Sequence, residues 1–263
     1  MGLKLGNTNI GNVYLGSTKI KEIYLGSTKV FGSSVDPYNP LNLPPYTIRL
    51  KYQDGVTPTF SKGTGVQISS SPNIWDLTYE NSSWYQLLYW KTDLLEVLGA
   101  NSTGVTTMRN MFINCSSLTS VPLFDTSSVT RMDDMLDGCS SLTTVPLFDT
   151  SSVTNMSYML QACSSLTTVP LFDTSSVTNM TRMLFGCSLL TSIPLFNTSK
   201  VTNITQAFSG CVNVQSGALA LYQQVSTQAN PPSSGNHYQT FKDCGSNTTT
   251  GSAELAQIPS SWK

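Results

Sequence analysis

Charge is scarce in this chain. Acidic and basic side chains make up 11% of its 263 residues, against roughly a quarter in an ordinary globular protein. The formal net charge is −1, so there is no basic footprint for nucleic acid or anionic lipid. No apolar run reaches the ~18 residues that a membrane span needs, and the opening MGLKLGNTNI does not read as a secretory leader. The expectation is therefore a soluble protein that neither binds nucleic acid nor inserts in a membrane. There is one histidine, His237, with no partner at a recognisable spacing. G-x-S-x-G, H-E-x-x-H, P-loop and dinucleotide-binding fingerprints are also missing, so catalysis and a cofactor are not expected. The surface must be made mainly of Ser, Thr, Asn and Gln.

What is there is repetition. CSSLTTVPLFDTSSVTNMSYMLQA is followed at once by CSSLTTVPLFDTSSVTNMTRMLFG, and Cys115, Cys139, Cys163, Cys187 and Cys211 recur at one constant interval, the length of that unit. The same period runs through Leu118, Leu142, Leu166 and Leu190, through Phe124, Phe148, Phe172 and Phe196, and through Val105, Val129, Val153, Val177 and Val201. A fixed period of this length predicts a repeat solenoid. By hand, SLTTV folds as a short strand that ends at Pro146 and its equivalents, FDTSS as a turn, SVTNM as a second short strand, and MSYMLQAC as one or two helical turns. The predicted fold class is thus leucine-rich-repeat-like, short parallel strands plus short helical turns with a 24-residue period, with a small N-terminal all-β region. A weaker copy, residues 84–104, reads as a terminal cap. GALALYQQVSTQA, residues 217–229, has helical apolar spacing and stretches the interval between Cys211 and Cys244 beyond that of the other cysteines.

Adjacent cysteines one rung apart would keep their Cβ atoms about 4.8 Å apart, beyond the ~3.8 Å mean of a disulfide, so a reduced, buried ladder is expected over bridges. One thiol per unit lacks the paired ligands of a zinc site, and no metal is expected. The stacked Asp125, Asp149 and Asp173 read as turn caps rather than a calcium site.

The repeats differ mainly in the MSYMLQAC segment. One column reads Arg109, Asp133, Ser157, Thr181, Thr205; the next reads Asn110, Asp134, Tyr158, Arg182, Gln206; a third reads Ile113, Asp137, Gln161, Phe185, Ser209. On a helical turn whose Met, Leu and Cys point inward, these positions point outward. They form the candidate partner-binding surface, since a rigid frame would display a different side chain on each rung. Drift at unconstrained exposed positions explains the same variation, and the constancy of the equally exposed FDTSS turn weighs only slightly against it.

Residues 5–31 carry a repeat with a period of ten, LGNTNIGNVY, LGSTKIKEIY, LGSTKVF, which reads as a β-meander over residues 1–32. It is too small to bury a core of its own, so it should dock on another protein, a neighbouring domain or a second copy of itself. The candidate attachment residues are Val13, Tyr14, Leu15, Ile20, Ile23, Tyr24, Leu25, Val30 and Phe31. A Pro-rich linker, residues 33–45, and a small β-module, residues 46–83, precede the repeats at 84–216 and a helix with a C-terminal cap at 217–263.

The units, reading C-S-S-L-T-x-V-P-x-F-D-T-S-x-V-T-x-M, resemble BspA-type leucine-rich repeats from residue 84 onward. That resemblance implies surface or extracellular recognition rather than catalysis. The Y-L-G-S-T-K decads resemble N-terminal segments on structural proteins of gut-bacterial phages and prophages, which implies an attachment segment. Together they imply a non-enzymatic virion accessory protein, tail- or head-fibre-like, that contacts a host surface glycan or protein through the repeats. The alternative is a bacterial cell-surface adhesin of the BspA-like family.

Overall fold

The computed structural model describes residues 41–263, and before them the backbone of four short strands, β1 (Leu3–Leu5), β2 (Thr8–Asn12), β3 (Lys21–Leu25) and β4 (Thr28–Phe31). These four pair in chain order as an antiparallel sheet. A second antiparallel sheet contains β5 (Thr47–Tyr52), β6 (Thr64–Ser70), β7 (Asn73–Thr78) and β8 (Leu94–Ala100), in the order β6-β7-β5-β8. Along β5, Ile48, Leu50 and Tyr52 are buried, while Arg49 and Lys51 point to the other face. There Arg49 donates two bonds to its cross-strand partner Asp76, both 2.7 Å, and Lys51 donates to Glu96 at 2.9 Å. This is the period-two division of a half-buried sheet.

The leucine-rich-repeat-like solenoid expected from the periodicity is not the architecture found. The regular strands are antiparallel, the helices are two short ones, α1 (Ala218–Thr227) and α2 (Thr249–Gln257), with a 3-10 turn at Ser260–Trp262, and residues 101–217 contain neither strand nor helix. Parallel pairing between the units is reduced to isolated bridges, such as Thr107 to Arg131 and Arg131 to Asn155.

Backbone geometry explains why the helical turns do not form. Asn110, Asp134, Tyr158, Arg182 and Gln206 all have φ between 51° and 60°, and further along each turn Asn114, Gly138, Ala162, Gly186 and Gly210 have φ between 56° and 75°. A left-handed residue cannot continue a right-handed helix. The N–H groups of residues 108, 110, 112 and 114 instead donate to the carbonyls of 131, 133, 135 and 137 in the next unit, and the pattern recurs from unit to unit. One such column of aligned bonds runs from Gln86 donating to Arg109 through Gln206 donating to Tyr238. The carbonyl end of that column is Tyr85, where the Lys62 ammonium donates to it at 2.6 Å. A cation there complements aligned peptide dipoles for the same reason that it suits a helix C-terminus.

The constant residues of each unit are tied to its neighbour. The hydroxyls of Thr126, Thr150 and Thr174 donate to the carbonyls of Asp149, Asp173 and Asn197 at 2.8–2.9 Å. The carboxylates of Asp125 and Asp149 accept from Ser127 and Ser151 within their own turns. Thr130, Thr154, Thr178 and Thr202 use both N–H and hydroxyl on the carbonyl of the equivalent Thr in the preceding unit. Inside, Phe124, Phe148 and Phe172 stack with centroids 5.9 and 6.3 Å apart. All six cysteines are free and buried, and the thiols of Cys115, Cys139, Cys163, Cys187 and Cys211 each donate to a carbonyl of the preceding unit, from Leu88 for the first to Leu184 for the last. Burial pushes the thiols up, Cys115 and Cys187 to about 12, which leaves them protonated and unreactive at neutral pH.

Candidate functional site

The left-handed column places Asn110, Asp134, Tyr158, Arg182 and Gln206 in one row, each half-buried against its neighbours. Gln86 and Gln239 extend the row at its two ends, with φ of 56° and 51°. At the C-terminal end, Arg182 donates Nε to Gln206 at 2.7 Å, Gln206 donates to Gln239 at 2.9 Å, and the Arg182 guanidinium lies 5.1 Å from the Phe185 ring and 5.9 Å from Tyr158. In the middle, Gln161 donates to Asp137 at 3.0 Å.

The adjoining column behaves differently from the sequence-based expectation. Arg109 and Thr181 are partly exposed, but Asp133 and Ser157 are buried, at 2% and 7% exposure. The cause is the turn geometry already described: without a helix, the outward direction of that column does not hold. Asp133 is clamped between two cations, 2.6 Å from Arg109 Nε and taking two bonds from Arg131 at 2.8 and 2.9 Å. Arg109 in turn lies 5.5 Å from the Tyr85 ring. The N–H of Ser157 donates to Asn155 Oδ1, and that of Thr181 to Asn179 Oδ1, both at 3.0 Å.

Arg131 is not among the sequence candidates, because it occupies the column that holds these turn-forming asparagines in the three units that follow. Its departure from Asn155, Asn179 and Asn203 is the signal that could have found it. The sequence reading also misses a second feature. Leu123, Leu147, Leu171 and Leu195 follow the period of the repeat and are 36–61% exposed. The first three flank an open groove of about 310 Å³ that also touches Asp149 and Asp173. The period is legible, but each Leu sits between Pro and an inward Phe, where it reads as core.

Of the attachment candidates, Ile23, Tyr24 and Leu25 lie in β3, and Val30 and Phe31 in β4, with Ile23 opposite Phe31 in the pairing. Val13, Tyr14, Leu15 and Ile20 lie outside the described residues. Among the described residues, no group of three or more His, Cys, Asp and Glu side chains could hold a metal ion, and no helix is long and apolar enough to cross a membrane.

Asp134 is the one member of the row set against its surroundings. Burial, reinforced by Asp133 and Asp137, raises its carboxyl to about 6. A carboxyl raised on folding adds stability when protonated, and that contribution disappears as pH rises through the folded value. Stability from this group should therefore be greatest below about pH 4 and lost between about pH 4 and 7. Asn removes the charge and also tolerates the left-handed backbone. Asp134→Asn should raise the melting temperature at pH 7.5 by roughly 2–4 °C, for about 1 kcal/mol after allowing for solvent screening. The gain should vanish at pH 4 in a melting series.

Residues 91–170 match a family described as "Mycoplasma protein of unknown function, DUF285". That match covers the first repeats and loosely fits the resemblance to BspA-type repeats. No curated protein and no solved structure matches the chain.

Proposed function

We propose that this is a non-enzymatic recognition protein whose varied row, from Asn110 to Gln206, contacts a host surface glycan or protein. One observation carries the reading: the backbone of successive units is held by the same interunit bonds, while the side chain on the left-handed residue changes each time. The constancy of the FDTSS turn no longer bears on this question, because its Phe, Asp and Thr each have a structural task. On this proposal the protein is a phage virion accessory component, tail- or head-fibre-like, anchored by residues 1–31. The resemblance of the Y-L-G-S-T-K decads supports that part, and a small sheet such as β1–β4 needs something to pack on.

The test separates the anchor from the recognition surface. A chain lacking residues 1–31 should be absent from purified particles and still bind host cells. If the truncated chain enters particles, the anchor role is wrong. The resemblance of the units to BspA-type repeats, which the match at residues 91–170 loosely fits, supports a second reading, a bacterial cell-surface adhesin of the BspA-like type. Recovery of the protein in the cell-wall fraction, and not in particles, would select it.

A further inference from the structure

A shallow depression of about 270 Å³ lies at the N-terminal end of the repeats, lined by Ser83, Tyr85, Thr107, Arg109 and Arg131. Two guanidiniums share one carboxylate there. Asp133 is nearly covered, with its side chain 3% exposed, whereas Arg109 and Arg131 are 41% and 46% exposed. Arg131 commits Nε and Nη2 to Asp133, and Arg109 meets it through Nε. The remaining N–H groups of both forks have no protein acceptor among the described residues. A third cation, Lys62, lies 5.1 Å from the Tyr85 ring. The hydroxyls of Ser83 and Tyr85 likewise make no hydrogen bond among the described residues.

These features select a ligand chemistry. Paired guanidiniums with spare donors suit a carboxylate or phosphate. Lys62 and Arg109 lie 5.1 and 5.5 Å from the Tyr85 ring, and a ring already engaged by two cations is a poor platform for an apolar group. The lining holds no aliphatic side chain, which argues against a peptide anchored by an apolar residue. The volume is at the low end for a small-molecule site and matches one hydroxylated ring.

We propose that this depression binds the acidic sugar of a carboxylated glycan, Arg109 and Arg131 taking the carboxylate and the Ser83 and Tyr85 hydroxyls bonding to ring hydroxyls. The proposal rests on the recognition reading above and adds a site beside the varied row: Tyr85 and Arg109 directly precede Gln86 and Asn110, and the depression takes a ligand class of its own.

The test is calorimetric titration of the full chain with sodium glucuronate, its uncharged amide, triglutamate and inorganic phosphate. Glucuronate should bind and the amide should not. Arg131→Gln should weaken binding about tenfold, the loss of one bidentate pair. Ser83→Ala leaves the ion pairs intact, so it should fold normally and weaken binding about threefold. Asp134→Asn removes a carboxylate close enough to be felt by both arginines and should tighten binding about two- to fivefold. Equal binding of the amide, tighter binding of triglutamate or phosphate, or unchanged affinity in Ser83→Ala overturns the proposal. So does failure of glucuronate to bind a chain that still binds host cells, and that outcome leaves the recognition reading standing. If host-cell binding is itself absent, the recognition reading falls.

Discussion

Phe148→Ala is expected to lower the free energy of unfolding by about 3–5 kcal/mol, the range for truncating a buried aromatic ring. Phe148 is 2% exposed, and its ring is held between Phe124 and Phe172. The cavity cannot close easily. Its neighbours sit in turns fixed by the Thr126 and Thr150 hydroxyls, whose acceptors are carbonyls of the following units. Collapse would break those bonds, so the void should persist with its full penalty. Phe148→Leu keeps most of the volume and should cost about 1 kcal/mol. Urea unfolding, with the denaturant slope unchanged, measures both. A loss below about 1 kcal/mol in the alanine variant, well under the usual cost of such a truncation, would show that the ring column does not hold the units together.

Asp133→Ala should be the next most damaging change, at about 2–3 kcal/mol. Removing one partner of a fully buried pair costs about 3–5 kcal/mol, but here the two arginines are partly exposed and can turn toward water. The loss should grow at low salt, where Arg109 and Arg131 repel with less screening. Asp133→Asn keeps the shape and the acceptor oxygen while removing the charge, and it should cost about half as much. An alanine variant as stable as the parent at all salt concentrations would show that the clamp is not structural.

The sequence made the repeat legible because a constant period in Phe, Val, Leu and Cys is an unmistakable packing signal. Phe124, Phe148 and Phe172 are buried as that signal requires, and the cysteines are buried and free. What it could not convey was the sign of φ. The apolar spacing of Met156, Met159, Leu160 and Cys163 suits a helical turn, yet the left-handed Tyr158 and Ala162 forbid one. Tyr, Arg and Gln are unusual left-handed residues, so nothing in their identity announced it. Asn110, Asp134, Gly138 and Gly186, which tolerate that conformation, were the visible hint. The same error misplaced Asp133 and Ser157, since outward and inward were assigned from a helix that is not there.

The amino-acid pattern alone determined that successive units would bury equivalent residues and vary at equivalent ones, because hydrophobic burial depends on which residues recur and at what interval. Only the tertiary structure decided how each unit is built and where its varied side chains go. The left-handed backbone is stabilised by hydrogen bonds that run to the next unit, as from Asn110 to Asp133 and from Tyr158 to Thr181. Such bonds depend on a neighbour being in place, and no local preference encodes them.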